Sequence, residues 1–338
     1  GIQFNQYGLV NTNVLLLTPY SFTNYGGVQN QVNLIEEYLD NHHQFNVKVF
    51  AHGKIDSLNN EKIYNIPFNS SISSVMLFPN NDLLEDSLNW ADVIHIHEPF
   101  VPLIFWRLPK NKKYVFTHHA SLNKFILFLL KIIYRLFSFN SISTHVSIEA
   151  KSNALALSKK SKLIPNMIKI NKDAKFSKSD GYLFIGRQEK RKNFNFFNML
   201  SKEDDFRENK FIAITNKRIS TDNIEFFLKP TESEKYEIFQ RTNIYLALNT
   251  KRESFGITLL EAVNNGNLAI TSDLPAFKNV LINSHVVFEN KSYSSLVSLL
   301  SSISGSNIEK LWNHQFSDLN NYDLDKNMEK FIYIYSKL

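Results

Sequence analysis

Two glutamates eight positions apart enclose a segment of this chain that could bind a sugar linked to a nucleotide. Residues 253–261 read Glu-Ser-Phe-Gly-Ile-Thr-Leu-Leu-Glu, a short turn followed by a helical pattern. Glu253, on the loop, could accept hydrogen bonds from sugar hydroxyls, while the turn and the helix N-terminus offer free N–H groups to a phosphate. Glu261, about two turns into the helix, could reach a ribose diol. The spacing fits equally an amphipathic helix whose leucines face inward and whose Glu261 faces solvent.

A run of cations follows directly after an apolar strand. Tyr182–Ile185 is the strand, Gly186 and Arg187 end it, and Lys-Arg-Lys follows at 190–192. Ligands of open α/β sheets bind at the carboxyl ends of strands. Arginine can clamp two phosphate oxygens and lysine supplies a point charge, so this run could hold a diphosphate and neutralise its departure without a metal. A solvated basic turn is the alternative.

Histidines lie at the ends of two further strands. His118 and His119 end one of them, and either could contact a donor sugar or an acceptor hydroxyl. Strand alternation places His95 and His97 on one face, beside Glu98. This second group could line an acceptor pocket, pack as an ordinary strand end, or ligate a metal, although the spacing places no further ligand.

Two other motifs could bind ligands. Gly26 and Gly27 follow the first strand, where glycine lets the backbone approach a ligand and opens a helix N-terminus. They are not part of a Gly-x-Gly-x-x-Gly fingerprint, which disfavours a nicotinamide enzyme, and no Walker loop is present. Residues 323–325 (Asp-Leu-Asp) resemble a metal motif, but they precede the terminal helix and are expected to cap it.

Composition limits the function classes further. The 338 residues suffice for two domains, and the absence of cysteine excludes disulfides, thiolate metal sites and a cysteine nucleophile. Lys and Arg outnumber Asp and Glu by 38 to 32, which favours anionic partners: nucleotides or phospholipid headgroups rather than nucleic acid. We expect no signal peptide and no membrane span, and therefore a cytoplasmic protein.

One segment is apolar enough to raise the question of membrane contact. Residues 124–137 form a strongly apolar helical pattern into which Lys124, Lys131 and Arg135 are interspersed. The segment is too short to cross a bilayer, but it could lie in the interface with its cations toward headgroups. A helix packed on the sheet is the alternative.

Short apolar runs alternate with helical segments, which predicts βαβ units and parallel sheets. The strand candidates are Asn13–Thr18, Val47–Ala51, Val93–His97, Tyr114–Thr117, Ser143–Val146, Tyr182–Ile185, Phe211–Thr215, Ile224–Phe227, Ile244–Leu248 and Leu268–Thr271. Two doubly wound α/β domains follow from this order. The predicted boundaries are an N-terminal domain over 1–168, a C-terminal domain over 169–322 and a terminal helix over 323–338.

Taken in order, the motifs resemble those of glycosyltransferase family 4, which are retaining enzymes of the GT-B fold. The matching segments are Gly26-Gly27-Val28-Gln29, Asp92–His97, Ile164-Pro165-Asn166, Gly186-Arg187 with Lys192, and Glu253 to Glu261. Within the family, several of these segments resemble those of phosphatidylinositol mannosyltransferases. The resemblance covers nearly the whole chain and implies two Rossmann-like domains facing across a cleft, with the terminal helix returning to the first.

The resemblance also assigns roles. Arg187 and Lys192 would hold the diphosphate, Glu253 the donor sugar and Glu261 the ribose, and the family's Thr-x-His pattern points to His119 near the reacting centre. The remaining substrate-binding candidates are Gly26, Gly27, His97, His118, Ser254, Phe255, Gly256 and Ile257. No metal or other cofactor is implied.

The resemblance implies a retaining hexosyltransferase that uses a GDP- or UDP-sugar. Its acceptor would be a glycan or a lipid-linked molecule of the cell envelope, reached at the inner face of the plasma membrane. A GT-B nucleotide-sugar 2-epimerase and a non-catalytic nucleotide-sugar-binding protein remain the alternatives.

Overall fold

The computed structural model describes residues 11–338 apart from 24–25, 69–70, 100–106, 121, 123, 136–138, 159, 252, 254 and 304. The chain forms two compact units, one ending at Met167 and completed by Leu324–Leu338, the other spanning Ile168–Asp323. These divisions lie one residue from the boundaries expected after residues 168 and 322.

A parallel sheet of six strands forms the first unit, in the order β2-β1-β5-β6-β7-β8. Its strands are β1 Thr12–Leu17, β2 Phe45–Phe50, β5 Val93–His97, β6 Lys113–His118, β7 Asn140–His145 and β8 Ser161–Leu163, and an antiparallel hairpin pairs β3 Ile63–Phe68 with β4 Ser71–Met76. Its helices are α1 Gly27–Asp40, α2 Asn81–Trp90, α3 Lys124–Arg135 and α4 Lys151–Leu157. The hairpin is the main element that the sequence pattern did not predict.

Both faces of this first sheet are buried, as expected of a parallel sheet. Val14 and Leu16 of β1 pack in the cluster that contains α1, whereas Leu15 and Leu17 pack in the cluster that contains α2. The alternation of β1 therefore supplies both layers of the core with apolar side chains.

The second unit has the same architecture, with a parallel sheet in the order β11-β10-β9-β12-β13-β14. Its strands are β9 Gly181–Ile185, β10 Lys210–Ile214, β11 Glu225–Phe227, β12 Ile244–Ala247, β13 Leu268–Ser272 and β14 Val286–Phe288. Its helices are α5 Phe194–Leu200, α6 Glu232–Gln240, α7 Ile257–Asn264, α8 Pro275–Val280, α9 Tyr293–Ser302 and α10 Gly305–Asp318. Each of the ten strand candidates overlaps a strand of the structure.

The last helix, α11 (Leu324–Lys337), belongs to the first unit. Met328, Phe331, Ile332 and Tyr335 are buried in the same cluster as β1 and α1. Asp325 lies in the first turn of α11, where a carboxylate interacts favourably with the helix dipole.

In each sheet, the strands that follow the first strand in sequence lie on both sides of it. The strand order changes side between β1 and β5 in the first unit and between β9 and β12 in the second. Loops at the carboxyl ends of such neighbouring strands diverge and leave a crevice for ligands. The fold therefore predicts a binding site after β9 and β12, and another after β1 and β5. No helix among the described residues is long and apolar enough to cross a membrane.

Candidate active site

The second unit brings two predicted site residues into contact at its switch point. The Nζ atom of Lys192, from the loop after β9, lies 3.0 Å from Oε2 of Glu253, from the loop after β12. Both side chains are mostly buried, with 17% and 16% of their surface exposed. Gly186 has φ of +154°, and a Cβ there would stand 3.4 Å from Cδ of Lys192. The backbone conformation favours glycine at this position, whereas a Cβ would make only an ordinary contact with the lysine side chain.

Asn249 holds the Glu253 carboxylate from a second direction. Its buried side chain donates a hydrogen bond to Oε2 of Glu253 at 2.7 Å. Its own carbonyl accepts one from Oγ of Ser272, the last residue of β13, at 2.5 Å. The ends of three neighbouring strands therefore fix the position of one carboxylate, with a lysine and an amide on the same oxygen.

The two arginines of the basic loop lie near Glu189. Nε of Arg191 lies 2.9 Å from this carboxylate, and the guanidinium of Arg187 lies 3.8 Å from it. The carbonyl of Arg191 accepts the backbone N–H of Thr250 at 2.7 Å, which ties this loop to the loop after β12. Within the described residues Arg187 contacts Glu189 rather than Glu253, and its side chain is half exposed, so it is accessible to a ligand.

A left-handed glycine begins α7. Gly256 has φ of +83°, and a Cβ there would lie 3.1 Å from the Phe277 ring, so both the conformation and the space require glycine. Phe255 is buried, with its ring edge-on to Tyr322, and Ile257 packs against the same core. Their side chains are structural, which leaves their backbone groups as the candidates for ligand contact. Ser254 lies outside the described residues.

Glu261 is partly buried and forms an ion pair. Its Oε2 accepts a hydrogen bond at 2.7 Å from Nζ of Lys235, on the preceding helix α6. On the opposite side of α7, Leu259, Leu260 and Val263 are fully buried. α7 therefore packs as an amphipathic helix, as one interpretation of its sequence predicted. Glu261 lies in a partly buried ion pair rather than in solvent.

The first unit buries a column of histidines at the carboxyl ends of its strands. His95 and His97 stack with ring centroids 4.3 Å apart, as strand alternation predicts, and Nδ1 of His97 lies 3.0 Å from Nε2 of His119. The ring nitrogens of His95 bond to the hydroxyls of Tyr335 at 2.8 Å and Thr117 at 2.7 Å. Burial lowers the pKa of His95 to about 3 and that of His119 to about 4. The column is therefore neutral near pH 7.

Glu98 and His118 lie next to this column in different surroundings. Glu98 is buried at φ of +57°, and burial raises its pKa to about 8; the nearby amides of His119 and Ala120 only partly offset this. Its carboxyl group is therefore largely protonated at pH 7. His118 is also buried, which lowers its pKa, with the charges of His119 and His145 as further causes. The contact with His97 belongs to His119, the histidine that the family pattern indicates.

The glycine pair of the first unit begins α1 after β1. Gly26 is the N-cap residue, and a Cβ there would stand 3.2 Å from Oε1 of Gln29. The Gln29 side chain is buried, and its Nε2 donates a hydrogen bond to the carbonyl of Ser21 at 2.9 Å. Gly27 is the first residue of α1. The loop after β1 is thus anchored by a side chain of the helix that it precedes.

No group of three His, Asp or Glu side chains in the described part of the chain is arranged to hold a metal ion. His95 could not act as a ligand without losing a hydrogen bond, because Tyr335 and Thr117 occupy both of its ring nitrogens. These contacts favour a structural role for His95.

Known proteins share both the sequence pattern and the fold. Residues 204–311 match the family model described as glycosyl transferases group 1. The phosphatidyl-myo-inositol mannosyltransferase of Mycobacterium leprae is 26% identical over 309 residues, covering 79% of this chain and 80% of that protein. The Mycolicibacterium smegmatis protein of the same name is 27% identical over 315 residues, covering 79% and 77%. These similarities indicate a glycosyltransferase, and residues 204–311 carry the likeness to group 1.

Solved structures identify the fold of this glycosyltransferase. Anabaena HepE, in complex with UDP and glucose, superposes with a TM-score of 0.70 at 14% identity, covering 97% of this chain and 100% of that one. Sucrose-phosphate synthase from Thermosynechococcus elongatus gives 0.67 at 11% identity, covering 97% and 99%. The fold of the glycosyltransferase is GT-B, as predicted.

Two residues of the glycosyltransferase site escaped the sequence motifs. Asn249 lies two residues after the end of β12, so its place after an apolar strand is a signal that could have identified it. Lys235 lies on α6, 26 positions before Glu261, and no spacing rule connects the two. Only the packing of α6 beside α7 brings this lysine to the carboxylate.

Proposed function

We propose that this glycosyltransferase belongs to family 4 and transfers a hexose from a GDP- or UDP-sugar with retention of anomeric configuration. The supporting observation is the contact between Lys192 and Glu253 at the switch point of the second sheet. A cation and a carboxylate placed together offer one group to a diphosphate and the other to sugar hydroxyls. The UDP and glucose named for the HepE complex have this chemistry.

In this proposal Lys192 and Arg187 bind the diphosphate and stabilise the charge that develops as it leaves. Fixed cations in a partly buried site act without reorganisation during the reaction, and they make a metal ion unnecessary. Glu253 would exchange its bond with Lys192 for sugar hydroxyls, while Asn249 keeps the carboxylate in place. Backbone groups around Gly256 would complete the sugar contacts, and Glu261 would bind the ribose.

The reaction would proceed on one face of the sugar. The bond between the anomeric carbon and the diphosphate oxygen breaks, the acceptor oxygen bonds to the same carbon from the same side, and the acceptor proton passes to the departing phosphate. No protein nucleophile is needed for this route. His119, supported by His97, would accept a hydrogen bond from a substrate hydroxyl, since its imidazole is neutral near pH 7. The loop at Gly26 and Gly27 would contact the acceptor.

The acceptor that we propose is a glycan or a lipid-linked molecule of the cell envelope. Its support is the similarity to proteins named phosphatidyl-myo-inositol mannosyltransferase. We propose that the enzyme works in the cytoplasm at the inner face of the plasma membrane.

A thermal-shift screen of UDP, GDP and ADP sugars tests the donor. We expect one UDP- or GDP-sugar to raise the melting temperature, since a ligand that binds only the folded state stabilises it. Incubation of that donor with acceptor, followed by NMR of the anomeric proton, then tests retention. Formation of an epimerised nucleotide sugar without acceptor would contradict the transferase proposal. Donor binding without transfer to any acceptor would instead indicate a binding protein.

Lys235→Met should raise the KM for the donor by about 5- to 50-fold and change kcat much less. Without its partner at 2.7 Å, Glu261 would lose its orientation toward the ribose, which binds equally in the ground and transition states. Lys229→Met, an exposed lysine on the loop before α6, is the matched control and should leave KM unchanged. A fall in kcat at constant KM would exclude this ground-state role.

A further inference from the structure

Helix α3 leaves an apolar stripe in solvent. Phe125, Phe128, Leu129 and Ile132 are 68%, 61%, 44% and 48% exposed. Their spacing of three, one and three residues places them on one side of the helix. Large apolar side chains that are scattered singly over a surface need no explanation, whereas a contiguous stripe of four marks an interaction surface.

The neighbouring helix and the segment before it also expose apolar side chains. α3 packs beside α4, and the segment leading into α4 exposes Ile148 to 65% and α4 itself exposes Leu155 to 41%. The apolar stripe of α3 and these two side chains belong to one unit of the fold. We call them together the α3 surface.

Positive charge is concentrated in the stretch of sequence that contains α3. Residues 107–151 contain eight Lys and Arg side chains and one acid, Glu149, a net charge of +7. The rest of the chain carries 30 Lys and Arg against 31 Asp and Glu, a net charge of −1, so this stretch accounts for the whole basic excess. Within α3, Lys124 and Lys131 are exposed, and no residue is acidic.

We propose that the α3 surface docks this enzyme onto an anionic lipid bilayer. The phenylalanines and aliphatic side chains enter the boundary between headgroups and acyl chains, while Lys124 and Lys131 reach the lipid phosphates. Apolar burial and attraction to anionic lipid together give peripheral binding. The helix of 12 residues is about 18 Å long and lies in the interface, because a span needs about 30 Å.

Charge favours a bilayer over a second copy of the chain. A two-fold dimer through the α3 surface would bring Lys124 and Lys131 of both copies together, and α3 has no acidic residue to pair with them. An anionic membrane supplies the complementary charge instead. The proposal does not depend on the donor or the reaction proposed above.

Vesicle sedimentation of the full-length protein tests the docking. Phosphatidylcholine vesicles that contain phosphatidylglycerol should bind the protein at low salt, and vesicles of phosphatidylcholine alone should bind it much more weakly. Raising the salt toward 1 M should release much of the bound protein, since screening shortens the Debye length to about 3 Å. Phe125→Ser with Phe128→Ser should weaken binding by about tenfold per side chain, because each loses the burial of a large apolar group.

Matched variants separate the loss of membrane docking from general effects of the substitutions on the protein. Tyr236→Ser with Ile282→Ser removes two similarly exposed apolar side chains of the second unit and should bind vesicles as wild type does. Lys124→Gln with Lys131→Gln should reduce the preference for anionic vesicles. Donor-induced thermal shifts should be unchanged in all these variants, which shows that each is folded and separates this result from the test of the donor.

Three results would overturn the proposal. The first is equal binding of the phenylalanine double variant and wild type. The second is absence of vesicle binding at low salt. The third is a concentration-dependent dimer in analytical ultracentrifugation that the phenylalanine substitutions dissociate, since this would show that a second copy covers the surface.

Discussion

Lys192→Met should lower kcat for sugar transfer by about 100- to 1000-fold, the loss seen when one fixed charge-stabilising group is removed from an active site. The lysine lies 3.0 Å from the Glu253 carboxylate and is mostly buried, so solvent cannot replace it efficiently. Methionine keeps the length of the side chain and removes the charge. Initial rates at saturating donor measure the effect.

Glu253→Gln should lower kcat by a similar factor, because it removes the negative charge of the same ion pair. Glutamine still accepts a hydrogen bond at its oxygen, but it lacks the charge that strengthens bonds from sugar hydroxyls. It also weakens the contacts with Lys192 and Asn249 that fix the carboxylate. Both variants should still fold, because the Asn249 side chain keeps a hydrogen bond to the residue at position 253 in each of them, and melting temperatures check this.

Lys190→Met is the matched control for the lysine variant. Lys190 lies in the same 3₁₀ turn, two residues away, but its side chain is exposed. If the loop acted only through its overall positive charge, replacing Lys190 would lower kcat as much as replacing Lys192. Equal losses in the two methionine variants would therefore remove Lys192 from its assigned role, as would wild-type turnover in Lys192→Met.

Glu98→Gln should stabilise the protein increasingly as the pH rises from 4.5 to about 8. The folded state holds the Glu98 proton up to a pKa of about 8, whereas the unfolded chain releases it near 4.5. Between these values the folded state binds one proton more, so wild-type stability falls as pH rises. Glutamine does not titrate. The gap of three and a half pKa units sets an upper limit of about 5 kcal/mol.

Chemical denaturation at pH 5, 7 and 9 measures this difference. The buried histidines act in the opposite direction at acid pH: their folded-state pKa values of about 3 and 4 lie below 6.5, so stability falls as pH falls below 6.5. Wild type and variant share this acid loss, and their difference isolates Glu98. Glu208→Gln, at an exposed position, is the control variant. A constant difference between Glu98→Gln and wild type would mean that Glu98 ionises normally.

The sequence predicted the strands well because their signals are local. An apolar run of four to six residues buried on both faces looks the same wherever the strand pairs, so each candidate overlapped a real strand. The hairpin β3–β4 was missed because β3 is interrupted by Asn65 and Pro67 and β4 is rich in serine, so neither strand has such a run. Strand order could be inferred only through the resemblance to GT-B enzymes, since pairing is a long-range property.

The candidate site also contains both residues with local sequence signals and residues that only folding brings together. Lys192, Glu253, Gly256 and Glu261 lie in motifs with short spacing, so the sequence could propose them directly as candidates. Asn249 and Lys235 contact the two glutamates only because β12 and α6 fold beside them. The ring of Phe255 is buried in the core, which its position in the motif did not reveal, and its backbone remains the part that we expect to contact substrate.

By itself, the sequence determined the two α/β domains, the positions of the basic loop and the paired glutamates, and the excess of positive charge. Tertiary structure decided which charges meet. It paired Lys192 with Glu253 and Lys235 with Glu261, enclosed Glu98 so that it keeps its proton, and left the apolar stripe of α3 in solvent. The physical reason is that periodicity and spacing act along the chain, whereas burial and electrostatics depend on neighbours that folding brings together.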